Sequence, residues 1–249
     1  MTGIPAYLRI AGDLRARILS SDLAPGAKLP TESQMMRDYG VSRTVAKWAV
    51  AVLKSESLVE GRRGSGVYVR DVPRLVREAH GRHMRTADGP TWSFARDAGR
   101  AGHRPGWEHQ SEHTTADPAV AVRLAIEPDA PVMLTRYRYL ADDAPAQFVR
   151  SWEPLAITSG TPIEWPEGGA AVGVVARMDH IGVHIDEFTE RVTTRSAAAD
   201  EIEALQLPLR GAHALVIERT YFAAGIPVET ADIVIPGDRY ELVYRVQVD

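Results

Sequence analysis

The chain has 249 residues, no cysteine, 45% hydrophobic residues and a net charge of −4. These proportions fit one or two globular domains with a real core, and the lack of cysteine excludes disulfides, thiolate-ligated zinc, thiolate catalysis and iron–sulfur clusters. No apolar run approaches the ~20 residues of a membrane span. The opening MTGIPAYLRIAGDLR has no apolar signal-peptide core, so a cytoplasmic protein without membrane contact is expected. The charge is uneven: residues 1–70 hold eleven Lys/Arg against six Asp/Glu, and residues 71–249 hold eighteen against twenty-seven. A basic front and an acidic rear suggest two units with different partners.

Tyr7, Ile10, Ala11, Leu14 and Ile18 recur at helical spacing and predict a helix over about 6–20. Pro25-Gly26 marks a turn. Thr31 and Gln34 form a capping box for a second helix that stops at Gly40. Ser42 is placed to cap a third helix with Val45, Trp48, Ala49, Val52 and Leu53 as its inner stripe. Two helices joined by a short turn make a helix-turn-helix, whose second helix presents its N-terminal residues to the DNA major groove. Here those residues are Arg43, Thr44 and Lys47. The β-prone runs around Arg62-Arg63-Gly64-Ser65-Gly66 predict a basic hairpin, a wing, whose glycines allow close approach to a sugar–phosphate backbone.

Residues 71–91 are polar and read as a linker, with a short helix expected at 73–80. His80 and His83 within it read as solvated rather than metal-binding. Beyond it, 130–153 reads as two strands around an Ala141-Asp-Asp-Ala turn. A second such unit lies at 213–235 around Ala224-Gly225, and a further strand is expected at 239–248. Helices are expected at 117–125, 170–180 and 196–205. The fold class is therefore α+β, a winged helix-turn-helix followed by an antiparallel sheet with helices. The two hairpin units align with Leu124 on Leu205 and Arg138 on Arg219 at an offset of 81. Pro145 on Pro227 and Gln147 on Glu229 follow at 82. This suggests a duplicated domain with a ligand cleft between its halves. Arg136 and Arg138 share a strand face with Leu134 and Leu140, so they need an anionic partner, either internal carboxylates or a ligand.

His109 with His113, and His180 with His184, have metal-pair spacing on a helix, but nearby glycines oppose long helices there and no HExxH occurs. No G-x-S-x-G, P-loop or dinucleotide motif is present, so neither enzyme activity nor a cofactor is expected.

The pieces PAYLRIAGDLRARI, LAPGAKLPTE, YGVSRTVAKWAVAVL and GSGVYV, in this order from Pro5 to Val69, resemble the winged-helix domain of the GntR family of bacterial repressors. The resemblance implies DNA contacts from Arg43, Lys47 and the wing glycines Gly64 and Gly66. The rear, over about 92–246, resembles the effector-binding domain of that family's HutC branch, similar in fold to chorismate lyase. It does so through the Arg-rich first strand, Pro145, Glu190-Arg191-Val192, Leu205-x-Leu207 and RTYFAAGIPVE. The resemblance implies a small, often anionic effector held by Arg136, Arg138 and Glu229, with Gln147 where the branch carries an acidic residue. Ser93 and Arg96, in the Thr91–Arg96 stretch, are further candidates. The expected protein has a DNA-binding domain over 1–70, a linker over 71–91 and an effector-binding, dimerising domain over 92–249. It binds double-stranded operator DNA as a homodimer and answers to a metabolite. The alternatives are an unregulated DNA-binding protein and a lyase-like enzyme.

Overall fold

The computed structural model describes residues 3–56, 58–71, 75–79, 85, 93–168, 173–207 and 212–246. They form two compact units, the first over 3–71 and the second over 75–207 and 213–246.

In the first unit, helices α1 (Ala6–Leu19), α2 (Glu32–Tyr39) and α3 (Arg43–Ser55) precede a hairpin of β1 (Val59–Arg62) and β2 (Gly66–Val69). Thr31 caps α2 through the expected box, its Oγ1 accepting from the Gln34 amide at 3.2 Å while Gln34 Oε1 accepts from the Thr31 amide at 2.8 Å. The core joins Ile10, Ala11, Leu14 and Ile18 of α1 to Ala46, Ala49, Val50 and Leu53 of α3, closed by Leu29, Met35, Val59 and Val69. Trp48, expected inside, is 54% exposed. The buried stripe of α3 runs 46, 49, 50, 53, which leaves Trp48 on its flank, in edge contact with Tyr7. A third short segment joins the hairpin, where Lys28 bridges Tyr68 and Leu29 donates to the Val67 carbonyl at 2.8 Å.

The second unit centres on one six-stranded antiparallel sheet in the order β4-β5-β6-β9-β8-β7. Its strands are β4 (Pro105–Thr115), β5 (Pro131–Ala141), β6 (Ala144–Pro154), β7 (Glu187–Ser196), β8 (His213–Ala223) and β9 (Ile226–Pro236). The sheet is two copies of a three-stranded motif joined where β6 pairs with β9. Each copy has a two-residue hairpin with both central residues at positive φ, Asp142-Asp143 and Ala224-Gly225, the turn that suits strand twist. Each also has a register shift at the same place, after Tyr139 and after Tyr221. Tyr139 pairs with Gln147 as Tyr221 pairs with Glu229, so the repeat offset through both hairpins is 82. The counterpart of Arg219 is therefore Tyr137, not Arg138.

One sheet face carries helices α5 (Pro118–Leu124) and α8 (Ala199–Ala204). Asp117 caps α5 by accepting from the amides of Ala119 and Val120 at 2.8 and 2.9 Å, and Val120, Ala121 and Leu124 pack on Val132, Leu134 and Trp152. Arg150 and Asp232, repeat-related and paired across the seam, bind these helices in mirror fashion. Arg150 Nη2 donates to Glu201 at 3.0 Å and Arg123 Nη1 to Asp232 at 2.6 Å. We call this the outer face.

The opposite, inner face carries α4 (Ser93–Arg100), α7 (Val174–His180) and a two-stranded parallel layer of β3 (Leu75–Glu78) and β10 (Tyr240–Val243). A four-residue helix, α6 (Leu155–Thr158), follows β6. Phe94 and Leu75 pack at one end with Ala141 and Tyr139; Met178 and Ile163 pack at the other with Tyr221 and Val228. Where a short helix was expected at 73–80, β3 alternates buried Leu75 and Arg77 with exposed Val76 and Glu78, as a strand does. Strands β4 and β7 and helix α4 were not anticipated. Arg77 and Glu190, both buried, form a two-bonded ion pair, with Nη1 to Oε2 at 2.9 Å.

Removing one member of such a pair strands a buried charge, at a cost of about 3–5 kcal/mol, whereas an apolar pair of similar volume is near neutral. Glu190→Ala should therefore destabilise the second unit by about that much in urea unfolding of the full chain. Arg77→Met with Glu190→Leu should recover most of the loss.

Candidate operator interface and effector face

The candidate DNA-reading surface follows from two local devices. Ser42 Oγ accepts from the Val45 amide at 3.4 Å and fixes the start of α3, so Arg43, Thr44 and Lys47 stand exposed on its first turns. Arg43 Nε donates to Glu32 at 2.8 Å, which holds the guanidinium at the α2–α3 turn. Lys47 is exposed with no ion pair among the described residues. The wing is the second device. Gly64 has φ 72°, a conformation that favours glycine, and a Cβ on Gly66 (φ 125°) would lie 2.8 Å from Lys28 Cε. Arg62 lies 4.5 Å above the Tyr68 ring and donates to Glu60 at 3.1 Å, while Ser65 Oγ bonds the Tyr68 hydroxyl. Arg63 is exposed and makes no ion pair among the described residues. Lys28 was missed by the sequence reading. Its ammonium lies 5.8 Å from the Tyr68 ring, adding a third cation to the wing, and only the bridge to Tyr68 reveals it.

The inner face of the second unit holds a row of buried charges that crosses the sheet. Arg77 on β3 pairs with Glu190 on β7. Glu190 stands opposite Arg219 on β8, and Arg219 Nη2 donates to Glu229 Oε1 on β9 at 3.0 Å. Ser151 Oγ on β6 donates to the same oxygen at 2.7 Å. One step past the last β6–β9 pair, Trp152 with Thr230, Glu153 follows on β6 beside Glu229. Glu153 binds Arg177 of α7 through two bonds of 2.6 and 2.9 Å. Burial pushes the Glu153 carboxyl above its ordinary range; Arg177 opposes this, while Glu229 and Glu167 add to it. Burial works against the Arg219 charge, but Glu229, Tyr221 and Glu190 hold its pKa above the ordinary value. Burial, then Tyr139 and Glu167, raise the Tyr137 hydroxyl. Glu229 is fully buried and its Oε2 has no hydrogen-bond partner among the described residues.

The candidate effector residues do not converge. Arg136 and Arg138 do share a face with Leu134, but it is the outer face. There Arg136 Nη1 donates to Glu112 at 2.5 Å and Arg138 Nη2 pairs with Glu108 at 2.6 Å, across to β4. The inner-face positions on this strand hold Tyr137 and Tyr139, stacked at 5.6 Å. Gln147 is buried, with its amide oxygen unbonded among the described residues. It lies one step beyond Phe148–Val234, hence beside Ile235. That is six residues along β9 from Glu229, about 20 Å at strand rise. Helix α4, which carries Ser93 and Arg96, packs at the Gln147 end through Phe94, stacked on Tyr139 at 5.1 Å. The repeat thus sets Gln147 and Glu229 at equivalent positions but at opposite ends of the sheet. Arg219 and Ser151, which bond Glu229, and Glu153 beside it with its partner Arg177, were not foreseen as a group. With Arg136 and Arg138 outside, the expected anionic effector loses the two cations assigned to it.

The histidine pairs take other places. His109 and His113 lie on strand β4, His113 pairing with Glu164 at 3.0 Å, and His184 lies 3.4 Å from Asp179. His80 and His83 fall outside the described residues. Among the described residues no group of three or more His, Asp or Glu is placed to hold a metal ion, and no helix is long and apolar enough to cross a membrane.

Residues 6–69 match the family described as bacterial regulatory proteins, gntR family, and residues 100–241 match the UTRA domain. The chain is similar to the HTH-type transcriptional repressor NagR of Bacillus subtilis, 27% identical over 249 residues that cover 97% of this chain and 94% of that one. A crystal structure of a GntR-family transcriptional regulator is 44% identical, with a TM-score of 0.70 and 98% of each chain covered. PhnF from Mycobacterium smegmatis, 18% identical, shares the fold with a TM-score of 0.60 over 96% of this chain and 100% of that one. The chain therefore belongs to the GntR family of bacterial transcriptional regulators, in the UTRA-bearing architecture of its HutC branch, and its role is regulatory rather than enzymatic.

Proposed function

We propose that this regulator is a cytoplasmic repressor that binds an inverted-repeat operator as a homodimer and changes its operator affinity when a small molecule binds the inner face of its second unit. The observation that carries the reading is the exposed, cap-fixed start of α3 with Arg43, Thr44 and Lys47, flanked by a wing bearing Lys28, Arg62 and Arg63. Arg43 is suited to a bidentate guanine contact once it leaves Glu32, and Lys47 to a base or phosphate. Lys28, Arg62 and Arg63 suit phosphates. Dimerisation is supported by the small reach of one head, since two heads on one symmetric site combine their affinities. Repression is supported by the name of the NagR relative. The effector response is supported by the UTRA match and by the buried, incompletely bonded Glu229.

Selection from randomised duplexes with the full chain should enrich two inverted half-sites about 10–10.5 bp apart centre to centre, or a multiple of that. Sedimentation should give a dimer at micromolar concentration. A monomer that holds a single half-site tightly would overturn the dimeric reading.

Substitutions should separate base reading from phosphate contact. Arg43→Ala should cost about 1–3 kcal/mol on the selected site and relax preference at one position. Arg63→Ala should weaken all sequences alike and lower the salt slope by roughly 0.9. Fluorescence anisotropy on selected and scrambled duplexes across a salt series checks both. Equal loss on the two duplexes for Arg43→Ala would make it a phosphate contact.

A further inference from the structure

The charge row leaves one carboxylate oxygen without a hydrogen-bond donor among the described residues. Its ends are closed: Arg77 answers Glu190, and Arg177 answers both oxygens of Glu153. In the middle two carboxylates, Glu229 and Glu153, stand side by side on neighbouring strands with a third, Glu167, near enough to act on Glu153. The guanidiniums bonded to these carboxylates are Arg177 and Arg219, so three carboxylates face two cations. The bonds at Glu229 are also lopsided. Its Oε1 accepts from both Ser151 and Arg219, and its Oε2, fully buried, accepts from nothing among the described residues. A buried carboxylate oxygen left without a donor is costly, and two adjacent buried carboxylates resist joint ionisation unless a positive charge lies between them.

Resting on the reading that the inner face binds the effector, we infer that Glu229 Oε2, beside Glu153, is the receptor for a protonated amine on that effector. An ammonium supplies both missing things at one position, a hydrogen-bond donor to Oε2 and one unit of positive charge. A hydroxyl supplies only the donor. A phosphate or carboxylate supplies neither, and it would have to displace Glu229 from Arg219 or Glu153 from Arg177. The repeat gives the site its direction: the equivalent position at the other end of the sheet is the uncharged Gln147, so only the Glu229 end selects a cation. The amine end of the effector then lies under α7, against Ser151 and Arg219.

Pairs of small molecules that differ only by amine for hydroxyl test this on the full chain. Suitable pairs are ethanolamine and ethylene glycol, benzylamine and benzyl alcohol, and glucosamine and glucose. Saturation-transfer NMR and thermal shift at pH 7 should show, in at least one pair, the amine binding at least tenfold tighter than the alcohol. Glu229→Gln should erase that preference, and Glu153→Gln should weaken it, with circular dichroism confirming that each variant is folded. The comparison within the wild-type chain stands even if a variant does not fold. Equal binding of amine and alcohol, or an unchanged preference in folded Glu229→Gln, would overturn the inference. So would no amine binding at all, together with a carboxyl of the pair that NMR finds protonated at pH 7. Glucose 6-phosphate serves as an anionic comparator. If it released operator DNA from wild type and folded Glu229→Gln alike, the effector-controlled repressor would stand and the amine site would fall.

Discussion

The second unit depends on the antiparallel pairing of β6 with β9. Each three-stranded motif alone would leave its innermost strand as an open edge and its inner face uncovered. Joined at this seam, the two innermost strands become central and buried, and the outer strands β4 and β7 become the edges. The seam also fixes what the two halves can share. Antiparallel joining turns one motif end for end against the other, so repeat-equivalent residues near the hairpins are carried far apart. Residues near the seam, such as Arg150 and Asp232, are brought into contact.

That geometry explains why charge gathers where it does. The inner face is covered along its length by α4, the β3–β10 layer and α7, so side chains there lie out of water. Polar groups survive such a place only when bonded to one another. The row from Arg77 to Arg177 meets that condition in all but one carboxylate oxygen by pairing each carboxylate with a guanidinium across four strands, with Ser151 adding a bond at its centre. The outer face solves the same problem with helix-borne partners, Arg123 for Asp232 and Glu201 for both Arg150 and Arg195. One face thus carries an internal ionic framework, and the other answers its charges with the helices that cover it and, at Arg136 and Arg138, with carboxylates of strand β4.

How much of this was legible in the sequence varied with the range of the forces involved. Caps, turns and hairpins are local, and Thr31, Ser42, Asp142-Asp143 and Ala224-Gly225 announce themselves. Strands β4 and β7 do not, because edge strands are mostly exposed and show no apolar alternation. Strand β3 is four residues long and its partner lies more than 160 residues away, so nothing near it signals pairing. The effector face failed for a sharper reason. Aligning Arg138 with Arg219 at an offset of 81 instead of 82 is a slip of one residue, and in a strand one residue exchanges the two faces. Arg136 and Arg138, which the resemblance set with Glu229, thus stand on the opposite face, and Tyr137 and Tyr139 hold its side. Glu229 entered through the resemblance, which carries an acidic residue after the Gly-x-Pro turn, and the structure places it on the inner face.

The pairing of β3 with β10 also bears on how the protein is made. Strand β3 precedes its backbone partners, Tyr240–Val243, by more than 160 residues, so it leaves the ribosome well before them. Its buried ion-pair partner, Glu190, also comes late. At 5–20 residues per second a ribosome needs roughly ten to thirty seconds to travel from one strand to the other. The first unit, whose contacts are local, has time to fold within that interval. Strand β3 cannot pair until Tyr240–Val243 have been made. Pairing of β3 with β10 is therefore a late event relative to the first unit, and a nascent chain that has not yet reached Tyr240 carries that unit with β3 still unpaired.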